Sequence, residues 1–334
     1  MKIAIVYSLP SNRMKQTKYA RADEDTAVIA EKVSQGLAAR GYSPSIYAVS
    51  EDNLGTIASI KADCVFNLIE WCGLDTTLAK EAFRHLRLLE IPITGSSEEL
   101  YVLTGDKIRM KQALKDAGVT TPWGVGVTST EAIIEGSIPY PVIVKPHVEH
   151  CSIGLSNESV AHNANELQLV IKKQISEFEQ SVLVEEFVPG RELLVYLTEI
   201  EGEIKILPVV EMLFDGGDPM AFQTYDAKWE EKSKDYNATY YDQAVLTKEE
   251  YAQLKSNCLA AFKKLGFWGY ARFDVRLRDG IPYILETNAN PSVYDTTEEI
   301  EDIESEVIEG IKFPDYLDGI VKSAVWHYER GERV

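Results

Sequence analysis

Residues 269–292 read GYARFDVRLRDGIPYILETNANPS, the stretch of the chain whose residue types best suit chemistry. Arg272, Asp274 and Arg276 alternate with Phe273, Val275 and Leu277, Arg278-Asp279-Gly280 supplies a turn, and the chain runs apolar again from Ile281 before Asn288. This spacing predicts a β-hairpin. Strand side chains alternate between faces, so Arg272 and Asp274 share one face of the first strand, and Glu286 and Asn288 share one face of the second. Asp274, Glu286 and Asn288 are hard oxygen ligands of the kind Mg2+ takes together with substrate phosphates and water. Arg272 adds a fixed positive charge, and the group suits a phosphate whose charge builds during transfer. The plainer alternative is a solvated hairpin face whose opposite charges pair across the strands.

The rest of the chain must position that hairpin. At 334 residues and 45% hydrophobic content it exceeds one typical domain, and two or three are expected. A net charge of −19 argues against a nucleic-acid-binding surface, while leaving room for a local basic pocket for ATP. The four cysteines, Cys64, Cys72, Cys151 and Cys258, form no CxxC pair or framework spacing, which suits a reducing compartment. The opening MKIAIVYSLP reads as a first strand rather than a signal peptide, and no run approaches a membrane span. The expectation is a cytoplasmic protein without membrane or nucleic-acid partners.

Taken in order, residues 2–7 predict a buried strand, and the polar stretch 8–22 a loop long enough for a functional role. A helix starts at Asp23-Glu24-Asp25-Thr26, with Val28, Ile29, Val33 and Leu37 as its apolar face and Gly41 as its stop. Strands at 42–49 and 62–69 and a helix at 77–89 continue the alternation of an open parallel α/β sheet. A helix at 107–117 and a short strand at 142–144 follow, the latter delivering Lys145-Pro146 into a polar turn suited to phosphates. His147, His150 and Cys151 lie in that turn, but a fourth soft-metal ligand is missing. The strand at 182–188 breaks at Pro189-Gly190 and restarts at Leu193. Its break could receive an adenine edge, with a glutamate on the ribose, or Glu185 and Glu186 could be solvated strand-end charges. Residues 214–241 read as a long ordered loop of the kind that serves as a lid. A helix at 247–265, with Tyr251, Leu254, Leu259 and Phe262 on its apolar side, leads into the hairpin; an acidic run at 294–309 and a final helix at 313–328 complete the chain.

Together these segments resemble an ATP-grasp carboxylate-amine ligase of the D-alanine:D-alanine ligase type. The resemblance covers nearly the whole chain and keeps the family's order: Phe66-Asn67-Leu68, Ile91-Pro92-Ile93-Thr94-Gly95-Ser96, Asp106-Lys107, Val144-Lys145-Pro146, residues 149–154, residues 185–192, Tyr225-Asp226-Ala227-Lys228-Trp229, residues 269–274 and residues 285–291. It implies an α/β and α+β chain: an N-terminal open parallel, Rossmann-like α/β domain (1–97), a central ATP-grasp subdomain (98–187) and a C-terminal subdomain with the hairpin (188–334). By the same resemblance Lys107 and Lys145 hold ATP phosphates, and Ser152 and Gly154 sit in the loop that closes over them. Glu185, Glu186, Phe187 and Val188 form the adenine hinge, Glu192 is the ribose carboxylate, and Leu285 joins the nucleotide-binding set. Lys228 reaches the γ-phosphate, Arg272 steadies the acyl-phosphate and tetrahedral intermediate, and Asp274, Glu286 and Asn288 are the magnesium ligands. The implied cofactors are ATP and two Mg2+ ions, with Mn2+ as a substitute. The implied partners are a small carboxylate, a small amine and a second copy of the chain.

The substrate half departs from the family. His150-Cys151-Ser152 replaces a Gly-Ser-Ser loop, Trp229 replaces a tyrosine, and Asn288-Ala289-Asn290-Pro291-Ser292-Val293-Tyr294 replaces Asn-Thr-Ser-Pro-Gly-Met-Thr. Glu70-Trp71-Cys72-Gly73 stands where a His-Gly motif is usual, and Glu24 and Asp25 fall near the glutamate that takes the substrate ammonium. Glu24, Asp25, Cys151, Trp229, Asn290 and Ser292 are therefore the substrate candidates. Polar groups left unpaired in such a site are heavily penalised, so these changes alter which molecule fits and point away from D-alanine. The alternatives are a true D-alanine:D-alanine ligase with an atypical pocket and a non-catalytic ATP-binding relative. Lys228, Arg272 and the metal ligands count against the latter.

Overall fold

The computed structural model describes residues 1–20, 26–130, 137–200, 202–291, 293 and 312–333. The first sheet is parallel, with β1 (Lys2–Ser8) between β2 (Ser43–Val49) and β3 (Cys64–Leu68), and Ile93 adds an isolated parallel bridge to Val65. Side-chain alternation along β1 sends Ile3 and Ile5 to one face and Ala4 and Val6 to the other, and both faces are covered. Helix α1 (Thr26–Ala39) covers the first face with Ile29, Ala30, Val33 and Leu37. Val28, expected on that face, is 57% exposed, because the buried stripe is completed by the smaller Ala30 and Gly36. Helix α2 (Thr76–Arg87) covers the second face through Ala79, Ala82, Phe83 and Leu86.

Two helices lead into the middle of the chain. Ser97 caps α3 (Glu98–Gly105) by accepting from the Leu100 amide, and Asp106 caps α4 (Lys107–Asp116) by accepting from the Arg109 amide. The second sheet is antiparallel, in the order β4 (Gly124–Val127), β7 (Val182–Glu186), β5 (Val142–Pro146), β6 (Val160–Ala161), and α5 (Ala164–Phe178) packs Leu167 and Ile171 on its valines.

The third sheet carries the hairpin. Its path runs β11 (Thr239–Gln243), β10 (Val210–Phe214), β8 (Arg191–Ile200), β12 (Tyr270–Arg278), β13 (Ile281–Asn288), with β9 (Glu203–Ile206) paired to β8. The stretch expected as a long loop holds two short helices, α6 (Tyr225–Trp229) and α7 (Lys234–Asn237), besides β11. Thr224 and Ser233 cap these single turns by accepting from Ala227 and Tyr236, and turns this short carry no readable periodicity. Helix α8 (Lys248–Leu265), with a Thr247–Glu250 capping box and Gly266 as its left-handed stop, packs Leu254, Cys258, Ala261 and Phe262 on the sheet. Tyr251, expected on that side, is 40% exposed; Cys258 and Ala261 fill the face instead.

Helix α9 (Phe313–Glu329) returns to the first sheet and packs Leu317, Ile320 and Val321 beside α1. The two helices approach closely at Gly36, where a Cβ would lie 2.6 Å from Leu317 Cδ1. The acidic run at 294–309 lies outside the described residues. No helix among the described residues is long and apolar enough to cross a membrane.

Near the end of α9, His327 Nε2 lies 2.7 Å from Glu199 Oε2, its Nδ1 meets Glu332, and its ring lies over Trp268 with centroids 4.8 Å apart. Burial alone would lower this imidazole's pKa, but the Glu199 and Glu332 carboxylates outweigh it and raise the value above the ordinary one. A raised folded-state pKa gives stability that is fully present below the unfolded value, about 6.5, and is lost as pH rises through the folded value. Urea denaturation of the native protein and His327→Gln should therefore differ most below the unfolded value and converge as pH rises through the folded one. A difference that grows with pH would contradict the assignment.

Candidate functional site

The hairpin register settles how its polar residues meet. Arg272 pairs with Asn288 and Asp274 with Glu286, but Val275 pairs with Ile284, so Leu285 is an extra residue in β13. This bulge lets Leu285 and Glu286 both line one cavity, together with Arg272, Asp274, Arg276 and Asn288. Arg272 donates through Nε to Asp274 Oδ1 at 2.7 Å and through Nη2 to Asp274 Oδ2 at 3.1 Å. Asn288 Nδ2 reaches the Arg272 carbonyl at 3.4 Å. Glu286 Oε1 lies 2.9 Å from His150 Nδ1 and 3.4 Å from Lys107 Nζ. Burial penalises its charge, yet Lys107 and His150 more than offset that and hold its carboxyl well below the usual range.

The cations come from separate elements. Lys107 is the first residue of α4 and its ammonium also donates to the Glu149 carbonyl; Lys145 lies in β5; Lys228 lies in α6 with Nζ 5.1 Å from the Trp229 ring centroid. All three line the cavity. Glu185, in β7, is 1% exposed and pairs with Lys145 at 2.6 Å and more closely with Lys111. Burial opposes its ionisation, but the two ammonium groups outweigh burial and lower its pKa.

The remaining nucleotide-side candidates line the same cavity, with one exception. Glu186 pairs with Arg278 at 2.8 Å, and the Glu186 and Phe187 amides donate to the Trp123 and Pro141 carbonyls. Val188 lies beside them. Glu192 pairs with Arg276 at 2.9 Å; burial, aided by Asp274, raises its pKa despite that guanidinium. Ser152 Oγ donates to the Gln223 carbonyl at 3.1 Å. Gly154 is not brought to the cavity wall: it lies under the loop at φ +79°, where a Cβ would come within 2.8 Å of Phe178 and Pro146.

Among the substrate candidates, Cys151, Trp229 and Asn290 line the cavity. Trp229 Nε1 donates to the Cys151 carbonyl at 3.0 Å, and Asn290 Oδ1 accepts from the Ser96 amide at 3.0 Å. Glu24, Asp25 and Ser292 lie outside the described residues. In the N-terminal loop Ser11 and Arg13 donate to Asp75, while Tyr19 packs on Phe178 and Tyr225.

Three side chains at the cavity or its ion pairs were given no site role from sequence. Lys111 sits at i+4 from Lys107 on the buried stripe of α4, which was a usable signal, since a lysine there needs a partner. Arg276, 3% exposed, continues the Arg272–Asp274 face and donates to the Gly190 and Ala221 carbonyls at 2.6 Å each. His150 had no signal for its pairing with Glu286, which is 136 positions away. Among the described residues no group of three or more His, Cys, Asp or Glu could hold a metal, and His147 pairs with Asp106 at 2.6 Å. The hairpin's donor set fits a hard divalent cation: two carboxylates directly opposite each other in register, with an amide two residues further on.

A protein-family model described as "D-ala D-ala ligase C-terminus" matches residues 124–322. The D-alanine–D-alanine ligase of Thermotoga maritima is 31% identical over 296 residues, 88% of this chain and 90% of that one. The crystal structure of the D-alanine–D-alanine ligase from Bacillus anthracis complexed with ATP superposes with a TM-score of 0.74 at 18% identity, covering 99% of both chains. VanG D-Ala:D-Ser ligase from Enterococcus faecalis gives a TM-score of 0.69 at 18% identity, covering 97% of this chain and 99% of that one.

Removing one partner of a buried ion pair leaves an uncompensated charge. Lys111→Met should therefore lower the unfolding free energy by about 3 kcal/mol, as Glu185 keeps Lys145 alone. Urea denaturation measures this, and a loss below about 1 kcal/mol would show that Lys145 suffices.

Proposed function

The chain belongs to the D-alanine–D-alanine ligase family of ATP-grasp enzymes, ADP-forming ligases that make C–N bonds, and from that premise we propose that it joins the carboxylate of an amino acid other than D-alanine to an amine. What supports the phosphoryl-transfer half is one observation: Lys107, Lys145, Lys228 and Arg272 line a single cavity with Asp274, Glu286 and Asn288.

A carboxylate is a poor acyl donor until its oxygen becomes a good leaving group. In the proposed reaction the substrate carboxylate attacks the γ-phosphorus of ATP, giving an acyl-phosphate and ADP, and the amine then displaces phosphate to form the amide. Lys107 and Lys145 hold the phosphates, Lys228 accompanies the transferred group, and together with Arg272 they offset the repulsion between two anions. Asp274, Glu286 and Asn288 would hold two Mg2+ ions, or Mn2+, whose charge neutralises phosphate oxygens. The base is assigned to the hinge of Glu185, Glu186, Phe187 and Val188 with Leu285, the ribose to Glu192, and the phosphate loop's contact to Ser152, with Gly154 packed beneath that loop. Trp229, whose indole donates to the Cys151 carbonyl, is assigned to shielding the reacting carboxylate from water.

The departure from D-alanine rests on Glu70, Cys72, Cys151, Trp229 and Asn290, which also contribute to the cavity wall. Glu24 or Asp25 is assigned to the substrate's α-ammonium, and Ser292 to its neighbourhood. The three-unit division at 97 and 187, a cytoplasmic location and a homodimer belong to the same reading. The competing reading is the reaction for which the Thermotoga relative is named.

ADP release with Mg-ATP across pairs of amino acids separates the two: release with D-alanine alone would remove the proposed substrate difference. Arg272→Ala should lower kcat by about 10²–10³ while leaving ATP affinity within a few-fold, since its donors act on charge that develops during transfer. Equal losses in ATP binding and turnover would assign Arg272 to nucleotide binding instead.

A further inference from the structure

Arg276 lines the cavity, is only 3% exposed, and has no part in the scheme above. It stands in β12 directly opposite Glu192 of β8, and its Nη2 lies 2.9 Å from Glu192 Oε2. The same guanidinium donates through Nη1 to the Gly190 carbonyl and through Nη2 to the Ala221 carbonyl, each at 2.6 Å. Its central carbon lies 5.6 Å from the centroid of the Phe187 ring. A buried guanidinium that gives its fork to carbonyls and a carboxylate of its own chain is placed to hold those groups rather than to take a ligand itself.

Those contacts join three pieces of the cavity's surroundings. Gly190 lies in the turn after the hinge, Glu192 stands near the start of β8, and Ala221 belongs to the segment that leads through Phe222 and Gln223 into α6 with Lys228. The turn and that segment also meet directly: the Gly190 amide donates to the Pro219 carbonyl at 2.9 Å, and the Phe187 and Phe222 rings meet edge-on with centroids 5.7 Å apart. Strand β12 comes close to the turn, since a Cβ on Gly190 would lie 2.3 Å from the Leu277 carbonyl oxygen and φ there is +131°. From one strand position a flat, forked cation reaches Gly190, Ala221 and Glu192 at once. A lysine there would be a point charge without that fixed geometry.

We infer that Arg276 is the positioning residue of the nucleotide end: it fixes Glu192 relative to the hinge turn, so that ribonucleotides are selected over deoxyribonucleotides. The inference rests on the ligase reading, in which the base lies at the hinge and Glu192 takes the ribose. A carboxylate accepts from the 2′ and 3′ hydroxyls together only where its place relative to the base is fixed, because one nucleoside must meet both. The cross-strand pair with Glu192 supplies one constraint on that spacing, and the bond to the Gly190 carbonyl supplies the other.

The test measures binding of Mg-ATP, Mg-2′-deoxyATP and Mg-3′-deoxyATP by calorimetry in native protein, Arg276→Lys and Glu192→Gln. Lysine keeps a charge for the buried Glu192 and gives up the fork. Native protein should bind ATP about tenfold or more tightly than either deoxynucleotide, as expected for hydrogen bonds to a charged group, and Arg276→Lys should bring that preference below about threefold. A merely structural role would weaken all three nucleotides alike, so a preference unchanged in Arg276→Lys overturns the inference while leaving the ligase reading intact. If the lysine variant does not fold, Glu192→Gln decides: a lost preference supports Glu192 as the group being positioned, and a preference kept overturns the inference. Native protein that binds ATP and both deoxynucleotides equally also overturns it. Native protein that binds no Mg-ATP sinks the ligase reading and the inference together.

Discussion

One inserted residue governs which side chains meet in the cavity. On the turn side of the hairpin Val275 faces Ile284 and Arg276 faces Tyr283; on the open side Asp274 faces Glu286 and Arg272 faces Asn288. A regular ladder continued from the turn would set Asp274 opposite Leu285 and Arg272 opposite Thr287. Glu286 and Asn288 would then share the face of Ile284, which is fully buried in the core with Val275 and Phe273. A one-residue slip exchanges faces along a whole strand, and here it would drive a carboxylate into hydrocarbon at severe desolvation cost. The bulge at Leu285 reconciles the two demands. Ile284 stays in the core, Glu286 turns to the cavity, and the strand keeps both roles within four residues.

The same economy shapes the electrostatics. Few charges around the cavity stand alone: Lys145 and Lys111 share Glu185, Lys107 and His150 share Glu286, and Arg276 holds Glu192. Buried pairs of this kind add little net stability, because desolvation consumes most of the Coulomb gain. Their consequence is positional. Each ammonium is fixed by a carboxylate on a different element, so β5, β7, α4 and β13 are registered against one another before any phosphate arrives. Cations fixed in advance need no reorganisation when charge develops between them.

The hairpin was readable because alternation, a Asp-Gly turn and paired polar positions are all local signals, and the parallel alternation of the first 97 residues was readable for the same reason. The bulge was not, since the period-2 pattern of 281–288 fits either face and only the packed core chooses between them. Ion pairs such as His150–Glu286 and Lys111–Glu185 join residues on different elements, so no window of sequence contains them. Val28 and Tyr251 were misplaced because apolar character was taken as burial, whereas Ala30, Gly36, Cys258 and Ala261 permit the close approaches that the larger residues would block. Gly154 shows the limit of motif transfer: a conspicuous glycine in the phosphate loop answers first to Phe178 and Pro146 beneath it.

The long N-terminal loop gains a physical role from its packing. Met14 and Tyr19 form one apolar cluster with Ile153 of the phosphate loop and Tyr225 of α6, with Cys151, Phe178 and Trp229 packed around it. The Tyr19 ring stacks on Phe178 and meets Tyr225 edge-on, with centroids 5.7 and 4.8 Å apart, while Tyr225 also donates to the Lys18 carbonyl at 3.3 Å. Aromatic pairs contribute about 0.5–1.5 kcal/mol each beyond their buried area. The segment bearing Lys228 and the loop bearing Ser152 are therefore tied to each other and to the first sheet. Tyr19 touches both sides, so separating the two segments would cost its contact with Phe178 or with Tyr225. The described part of this polar, irregular stretch thus gains its apolar anchorage from Met14 and Tyr19, which pack against the phosphate loop and α6.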